Sequence, residues 1–446
     1  MSSKGSVTKT YSYEQAVSYL DSVPRFVDKR FEGAKAFYEF LKDKGVITEG
    51  GRKVFHVAGT NGKGSVCAFL KSMHMAMGKR VGVFTSPHLI DLRERITIGD
   101  VMITKEDLAD AFMTVMSYLE EFKSSTPYSD YVPVYFDWLF FIAAVYFERE
   151  KTDAIIWETG LGGRYDATNV IGYKSVTVIT EIGMDHMEIL GDSIDKIASE
   201  KAGIIRRGIP VITVDRDPLA LDVISSVAKS MGSPLTVVPN ASGITKKMND
   251  KGIDFSYKSH YYNNATLEVV GHAVYQTENA TLAVTAMEAA YSADELPFEC
   301  VYEGIKNMHH PGRMEEVAPG VFFDGAHNTD GIGALLESVR HDGCRGLRYM
   351  IFSAVGDKQA DIELAMVAES GLFDKVCLVP ISGARGRSHD ELSKLLTVLT
   401  DRQINGELAG DLRTAYDSYR QGLREEDRLY VCGSLYLIGE LKEMIM

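Results

Sequence analysis

A chain of 446 residues with a net charge of −14 is long enough for two or more domains, each with its own core, and carries no basic surplus for nucleic acid or an anionic membrane. Apolar content of 45% and charged content of 25% are those of an ordinary soluble protein, so an anionic ligand would need a local cluster of cations. Five cysteines (Cys67, Cys300, Cys344, Cys377, Cys432) lack metal-type spacing and suit a reducing cytoplasm, the N-terminus shows no signal-peptide core, and the longest apolar run, Trp138 to Phe147, is too short to span a bilayer.

In chain order, apolar residues three or four apart (Ala16, Tyr19, Leu20) predict helix over 12–44. The stretch VFHVAGTNGKGS (54–65) follows. Val54, Phe55, Val57 and Ala58 read as a buried strand, Gly59 to Gly64 as a loop, and Ser65 as the start of an amphipathic helix. Strand, glycine loop and helix start make a phosphate cradle, with backbone N–H groups, a helix N-terminus and Lys63 supplying positive potential. Gly64 separates the lysine from the hydroxyl, a departure from GxxxxGK[ST], and the bland alternative is a glycine-rich turn. RVGVFTSPHL (80–89) reads as strand then loop; 104–122 as a helix capped by Thr104 and Asp107; 135–149 as an apolar helix. TDAIIWETG (152–160) and KSVTVITEIG (174–183) read as buried strands, about 193–205 as a helix, and IPVITV (209–214) as a strand. Residues 240–275 look like antiparallel hairpins, 277–292 like an Ala-rich helix, and 293–317 like a linker. A second series starts at VFFDGAHN (321–328) and continues through RYMIFSAVGDK (348–358), KVCLVPIS (375–382) and RLYVCGSL (428–435). The expected fold is α/β: a P-loop-type, doubly wound, mostly parallel sheet domain (1–308), then a smaller Rossmann-like α/β domain (309–446).

Chemistry-bearing residues gather where strands end, which is where open parallel sheets collect ligands. Ser86, in TSPH, offers a hydroxyl for magnesium or a simple turn. Glu158 ends AIIW and enters ETGLGGRYDATN, where a carboxylate beside a glycine loop suits a phosphate-bound cation. Asp185 and His186 end another strand, and an imidazole there takes a metal, a proton or a structural hydrogen bond. Lys201, in SEKAGI, reads either as a snorkelling lysine or as one carrying CO₂ as a carbamate. Arg313 in PGR, with Asp324, His327 and Asn328 in DGAHN, could close on a nucleotide across a cleft, or be a loop cap and a surface arginine. Thr104-Lys105-Glu106-Asp107 mimics the guanine-reading TKxD of GTPases, but it starts a helix, no DxxG switch precedes it, and it reads as a cap.

The ordered set GTNGKGS, TSPHL, ETGLGGRYDATN, TEIGMDHMEILGDSIDKIASEKAGI, Gln276…Asn279, PGR, DGAHN and GSLYL resembles the folylpolyglutamate synthase/dihydrofolate synthase family of the Mur ligase superfamily over about residues 12–440. The resemblance implies an amide ligase in which ATP phosphorylates a folate or dihydropteroate carboxylate and the amine of L-glutamate displaces phosphate. It implies that Thr60, Asn61, Gly62, Lys63, Gly64 and Ser65 hold the ATP phosphates, and that Asn279, Arg313 and Asp324 contact the nucleotide. Ser86 and Glu158 would bind one Mg²⁺ and His186 a second, Lys201 matches a carbamylated lysine, and His327 faces the reaction from the second domain. Lys63, Lys201, His186 and His327 are thus the expected catalytic set, and Phe136, Asp137, Arg164 and Asp166 the expected substrate contacts. A monomer is expected, with small-molecule partners only.

The chain departs from the family pattern at Tyr135-Phe136-Asp137, where Glu is usual, at Thr159 in ETGLGGR, at Thr329 in DGAHNT, and over VDKRFEGA (27–34). None of these removes a charged or metal-binding group, so an active enzyme is expected, with acceptor choice open between folate and dihydropteroate. A Mur-type ligase acting on a UDP-sugar peptide would want a further N-terminal domain, and only about fifty residues precede the phosphate loop. A nucleotide switch would want guanine-reading or switch elements and no DGAHN, and a non-catalytic scaffold would leave six strand-end motifs without a role.

Overall fold

The computed structural model describes residues 10–25, 31–249, 251–262, 264–355, 359–382 and 386–445; residues 26–30, 250, 263 and 356–358 of the segments named above lie outside them. The first sheet has eight strands: β1 Lys53–Ala58, β2 Val81–Phe84, β3 Ile96–Ile98, β4 Val101–Met102, β5 Ala154–Glu158, β6 Val176–Ile179, β7 Val211–Asp215 and β8 Leu235–Pro239. Their order is β4-β3-β2-β5-β1-β6-β7-β8. β1 runs parallel to β5 and β6, and β2 parallel to β5, so the carboxyl ends of all four open on the same edge. Only the β2–β3 and β3–β4 pairs are antiparallel.

Successive side chains of a strand face opposite ways, and the two faces of this sheet have separate cores. Val54, Ile155 and Trp157 pack with the aromatic helix Tyr135–Arg149 and the helices Tyr13–Ser22, Phe31–Asp43 and Lys105–Ser125. Phe55, Val57, Ala154 and Ile156 pack against the helices Lys63–Ala76 and Gln276–Ala290. Near-continuous apolar strands such as AIIW are what a sheet covered on both faces requires.

The polar, alternating region forms an antiparallel sheet of β9 Lys246–Met248, β10 Gly252–Lys258 and β11 Asn264–Val270. The third sheet contains β12 Glu315–Ala318, β13 Val321–Phe323, β14 Arg348–Phe352, β15 Lys375–Leu378, β16 Gly406–Leu408 and β17 Arg428–Cys432, ordered β12-β13-β17-β14-β15-β16. It is parallel except for the β12–β13 pair.

Two expectations need correction. The helix expected over 12–44 is two helices, Tyr13–Ser22 and Phe31–Asp43. The segment read as linker contains the helix Phe298–Lys306, which buries Val301 and Ile305. It packs closely on Lys63–Ala76 because Gly304 has no side chain; a Cβ there would lie 2.6 Å from Met73 Cγ. No helix among the described residues is long and apolar enough to cross a membrane.

Candidate active site

The strand ends of the first sheet and the loops after β13 and β17 enclose a cavity of about 450 Å³. The phosphate-loop residues Thr60 to Ser65 form one wall. Gly62 takes the left-handed conformation (φ 88°) and begins the helix Lys63–Ala76; a Cβ there would run into Asn279 Oδ1. Thr60 N donates to Glu181 O (2.7 Å) and Thr180 Oγ1 donates to Asn61 O (2.6 Å), pinning the loop to the end of β6. The first-turn N–H groups of the helix have no intrahelical acceptors, the usual setting for an anion. Lys63 is folded back, with Nζ donating to Gly59 O (3.0 Å) and Thr60 O (3.1 Å). Behind the loop, Ser65 Oγ lies 3.1 Å from His310 Nδ1 and accepts from Gln276 Nε2 (3.2 Å), and Gln276 Oε1 accepts from Asn279 Nδ2 (3.0 Å).

Glu158 ends β5 beside this loop. Its Oε2 accepts from the Ser86 amide (3.0 Å), which brings TSPH and ETGLGG together. Burial raises the Glu158 pKa, against the pull of Lys63, Arg313 and Arg95. Among the described residues no cluster of three or more His, Cys, Asp and Glu is arranged for a metal ion. A buried carboxylate with one main-chain donor, a neighbouring hydroxyl and a phosphate cradle nonetheless fits magnesium, which commonly takes one or two carboxylates and completes its shell with phosphate oxygens and water.

Lys201 does not snorkel. It is 4% exposed, and its Nζ donates to Gly59 O (2.7 Å). Burial, reinforced by Lys63, pushes its pKa well below the usual lysine range. Asp185 carries a histidine on each side: its Oδ2 is 3.9 Å from His186 Nε2 and 3.8 Å from His327 Nε2. His327 comes from the other half of the chain, and its Nδ1 is 2.7 Å from Gly325 O. Asp324 Oδ2 accepts from Tyr275 OH (2.7 Å) and Met314 N (2.9 Å), while Oδ1 accepts from Ala326 N (2.8 Å); burial raises its pKa and Arg313 opposes the rise. The two halves also meet directly, where Asn328 Nδ2 donates to Asn61 Oδ1 (3.0 Å) and Asn61 Nδ2 returns a bond of 3.4 Å.

All the expected ATP, metal and catalytic residues line this one cavity, as do Phe136 and Asp166. Asp137 and Arg164 do not. Asp137 is fully buried and its Oδ2 accepts from Val134 N (3.2 Å), so it caps the helix Tyr135–Arg149. Arg164 reaches away to Glu200 Oε1 (3.3 Å) and to Ser199 O (3.2 Å). Thr104 Oγ1 accepts from Asp107 N (3.0 Å) at the start of Lys105–Ser125, so the TKED segment is a helix cap.

Several residues of the cavity escaped the sequence reading. Arg25 and Arg95 place their guanidinium groups 5.1 and 5.7 Å from the Tyr135 ring centre, a cationic and aromatic corner suited to a carboxylate. Arg95 Nε donates to His88 Nδ1 (2.8 Å), and burial holds His88 down at about 4. Glu181 and Glu278 share Arg216 at 3.4 and 3.2 Å, and burial raises Glu181 to about 7. A signal for Glu181 existed: it follows VTVIT as Glu158 follows AIIW.

The chain resembles proteins of known structure over nearly its whole length. Residues 312–435 match the family model described as Mur ligase, glutamate ligase domain. A Bacillus subtilis protein named dihydrofolate synthase/folylpolyglutamate synthase is 38% identical over 69% of this chain and 72% of its own length. An Escherichia coli FolC structure in complex with DHPP and ADP superposes with a TM-score of 0.82 at 28% identity, covering 98% of both chains. A Mycobacterium tuberculosis folylpolyglutamate synthase complexed with ADP gives a TM-score of 0.83 at 26% identity, over 97% of this chain and 98% of that one.

Proposed function

Starting from a chain that belongs to the folylpolyglutamate synthase/dihydrofolate synthase family, and so is an ATP-dependent ligase joining L-glutamate to folate or dihydropteroate, we propose that the cavity between its first and third sheets is the active site and that the residues lining it divide the work as follows. The observation that carries this reading is the meeting, in one cavity, of the phosphate loop with Glu158 on one side and of Arg313 and Asp324 to His327 on the other. We take 1–308 as the ATP-binding domain and 309–446 as the glutamate-ligase domain, each with its own mostly parallel sheet.

The loop from Thr60 to Ser65 holds the ATP phosphates through its main-chain amides from Asn61 onward, the Thr60 amide being bound to Glu181 O, and Lys63 exchanges the carbonyls of Gly59 and Thr60 for phosphate oxygens. Asn279, Arg313 and Asp324 orient the nucleoside. Ser86 and Glu158 would hold one Mg²⁺ and His186 a second; magnesium there supplies charge neutralisation for the phosphate oxygens. The acceptor carboxylate attacks the terminal phosphorus, ADP leaves, and an acyl phosphate remains. Glutamate's neutral amine then adds to the acyl carbon and inorganic phosphate departs with the C–O bonding pair. The proton released by the amine is taken up in the Asp185, His186 and His327 group, where one carboxylate faces two imidazoles. Arg25 and Arg95 pair with substrate carboxylates, and Phe136, whose ring packs against Gly160, presents an apolar wall to the aromatic part of the acceptor.

Lys201 supports the carbamate reading. A buried amine held neutral is a nucleophile for CO₂; the N–C bond forms, one proton is lost, and the cation becomes an anion beside the phosphate loop. One chain supplies both sides of the cavity, which favours a monomer, and five free thiols suit the cytoplasm. The test is glutamate-dependent ADP release with dihydropteroate and tetrahydrofolate in parallel. Turnover with at least one supports the assignment, and none with either overturns it.

A further inference from the structure

Beneath the glycine loop that follows β5 runs a buried hydrogen-bonded chain that the reaction scheme leaves unused. His56, in the middle of β1, is fully buried, and its Nε2 lies 2.8 Å from Thr168 Oγ1. Thr168 Oγ1 donates to Asp166 Oδ1 (2.5 Å), and Thr168 N donates to the same oxygen (3.0 Å). Asp166 Oδ2 accepts from the amides of Gly160 (2.9 Å) and Leu161 (3.1 Å). Thr168 has one hydroxyl hydrogen and it goes to Asp166, so the proton on His56 must be on Nε2, donating to Thr168. His56 Nδ1, the acceptor nitrogen of that tautomer, is buried without a partner. Such an orphan is costly, and it persists where the other end of the ring is held for a reason.

Both oxygens of Asp166 therefore carry two donors each, and all four come from its own loop. Gly160 and Leu161 line the cavity, and the face of Gly160 is closed by the Phe136 ring. Asp166 thus ties the start of the loop to its end, and His56 and Thr168 hold Asp166. We propose that His56 and Thr168 are positioning residues for the acceptor side of the site: they fix the Asp166 carboxylate so that the Gly160–Leu161 turn and Phe136 present one fixed wall to the acceptor acid. The phosphate loop is pinned through hydrogen bonds of Thr60, Thr180 and Glu181 in which this chain takes no part, so its loss should fall mainly on the acceptor.

This inference rests on the cavity being the ligase site, and the experiment separates the two. Wild type, Thr168→Val, Thr168→Ser and His56→Gln are assayed for ADP release, with KM measured for ATP and for the acceptor. Thr168→Val keeps the shape and removes the hydroxyl; it should raise the acceptor KM about tenfold, the size expected for one buried hydrogen bond, with the ATP KM within about twofold. Thr168→Ser restores the hydroxyl and should return the acceptor KM to near wild type, and His56→Gln, which keeps an N–H near the Nε2 position, should lie between. An unchanged acceptor KM in Thr168→Val, an equal rise in both KM values, or failure of Thr168→Ser to rescue overturns the inference while the ligase assignment stands. A wild type without acceptor-dependent turnover overturns the assignment itself.

Discussion

Replacing Lys63 by alanine separates the role of this side chain in the fold from its role in catalysis. Both hydrogen bonds of Nζ go to carbonyls of its own loop, at 3.0 and 3.1 Å. Losing them costs stability of about 1–3 kcal/mol at most. Part of that returns, because a cation at a helix N-terminus opposes the helix dipole. With ATP in place the same ammonium faces phosphate oxygens whose charge grows during transfer. One unit charge at about 4 Å in an effective dielectric of about 20 contributes about 4 kcal/mol, which corresponds to about a thousandfold in rate. Lys63→Ala should therefore melt within about 5 °C of wild type and lose about three orders of magnitude in glutamate-dependent ADP release. It should also let the Lys201 pKa rise toward the ordinary lysine range, since Lys63 is one cause of its depression. Less CO₂ would then be fixed there, read as the intact-mass difference of one carboxyl group. A variant that folds normally and turns over within about tenfold of wild type would refute the reading of the loop.

Glu158→Gln should leave melting at alkaline pH equal or higher, because burial disfavours the charged form, while turnover falls at least about a hundredfold; a preserved rate would remove the carboxylate from the metal site. Glu181 is raised from 4.5 to about 7 in the fold, so its contribution to stability is complete below the unfolded value and is lost as pH rises through about 7. Glu181→Gln should thus flatten the fall in melting temperature between about pH 5 and pH 8, and an unaltered slope would refute the assignment. Thr104→Ala should cost about 1 kcal/mol in denaturant unfolding through loss of the helix cap, with kcat and KM unchanged. A guanine-reading or catalytic role for TKED would instead show in the kinetics.

Much of the site was legible in the sequence because its residues stand at strand ends next to glycine loops, where local pattern and tertiary position coincide. Ser86 and Glu158 are far apart in the chain, yet each was found from its own strand, and the parallel pairing of β2 with β5 joins them. The order of strands was not legible, since crossovers are settled by packing. The helix Phe298–Lys306 was hidden because a proline, a glycine and mixed charge mask an apolar stripe only two residues deep, Val301 and Ile305. Asp137 and Arg164 were placed by motif, but a first-turn carboxylate caps its helix as readily as it binds substrate, and Arg164 finds Glu200 outside the cavity. Arg25, Arg95 and Arg216 come from three separate segments without shared spacing, so nothing local marks them as neighbours of one cavity.

The reciprocal amide contact between Asn61 and Asn328 has a bearing on the order of events in each turnover. Asn61 belongs to the loop proposed to cradle phosphate, and Asn328 Oδ1 at the same time caps the helix Thr329–Arg340 by accepting from Gly331 N (2.8 Å). Whatever enters beside Asn61 is sensed by the first turn of a helix in the opposite half, through a clasp of two neutral hydrogen bonds worth about 1 kcal/mol each. So weak a clasp adds to the contacts that Tyr275 with Asp324, and Asp185 with His327, make between the same two halves, without locking them. At this point, then, parting the halves would break only two neutral hydrogen bonds.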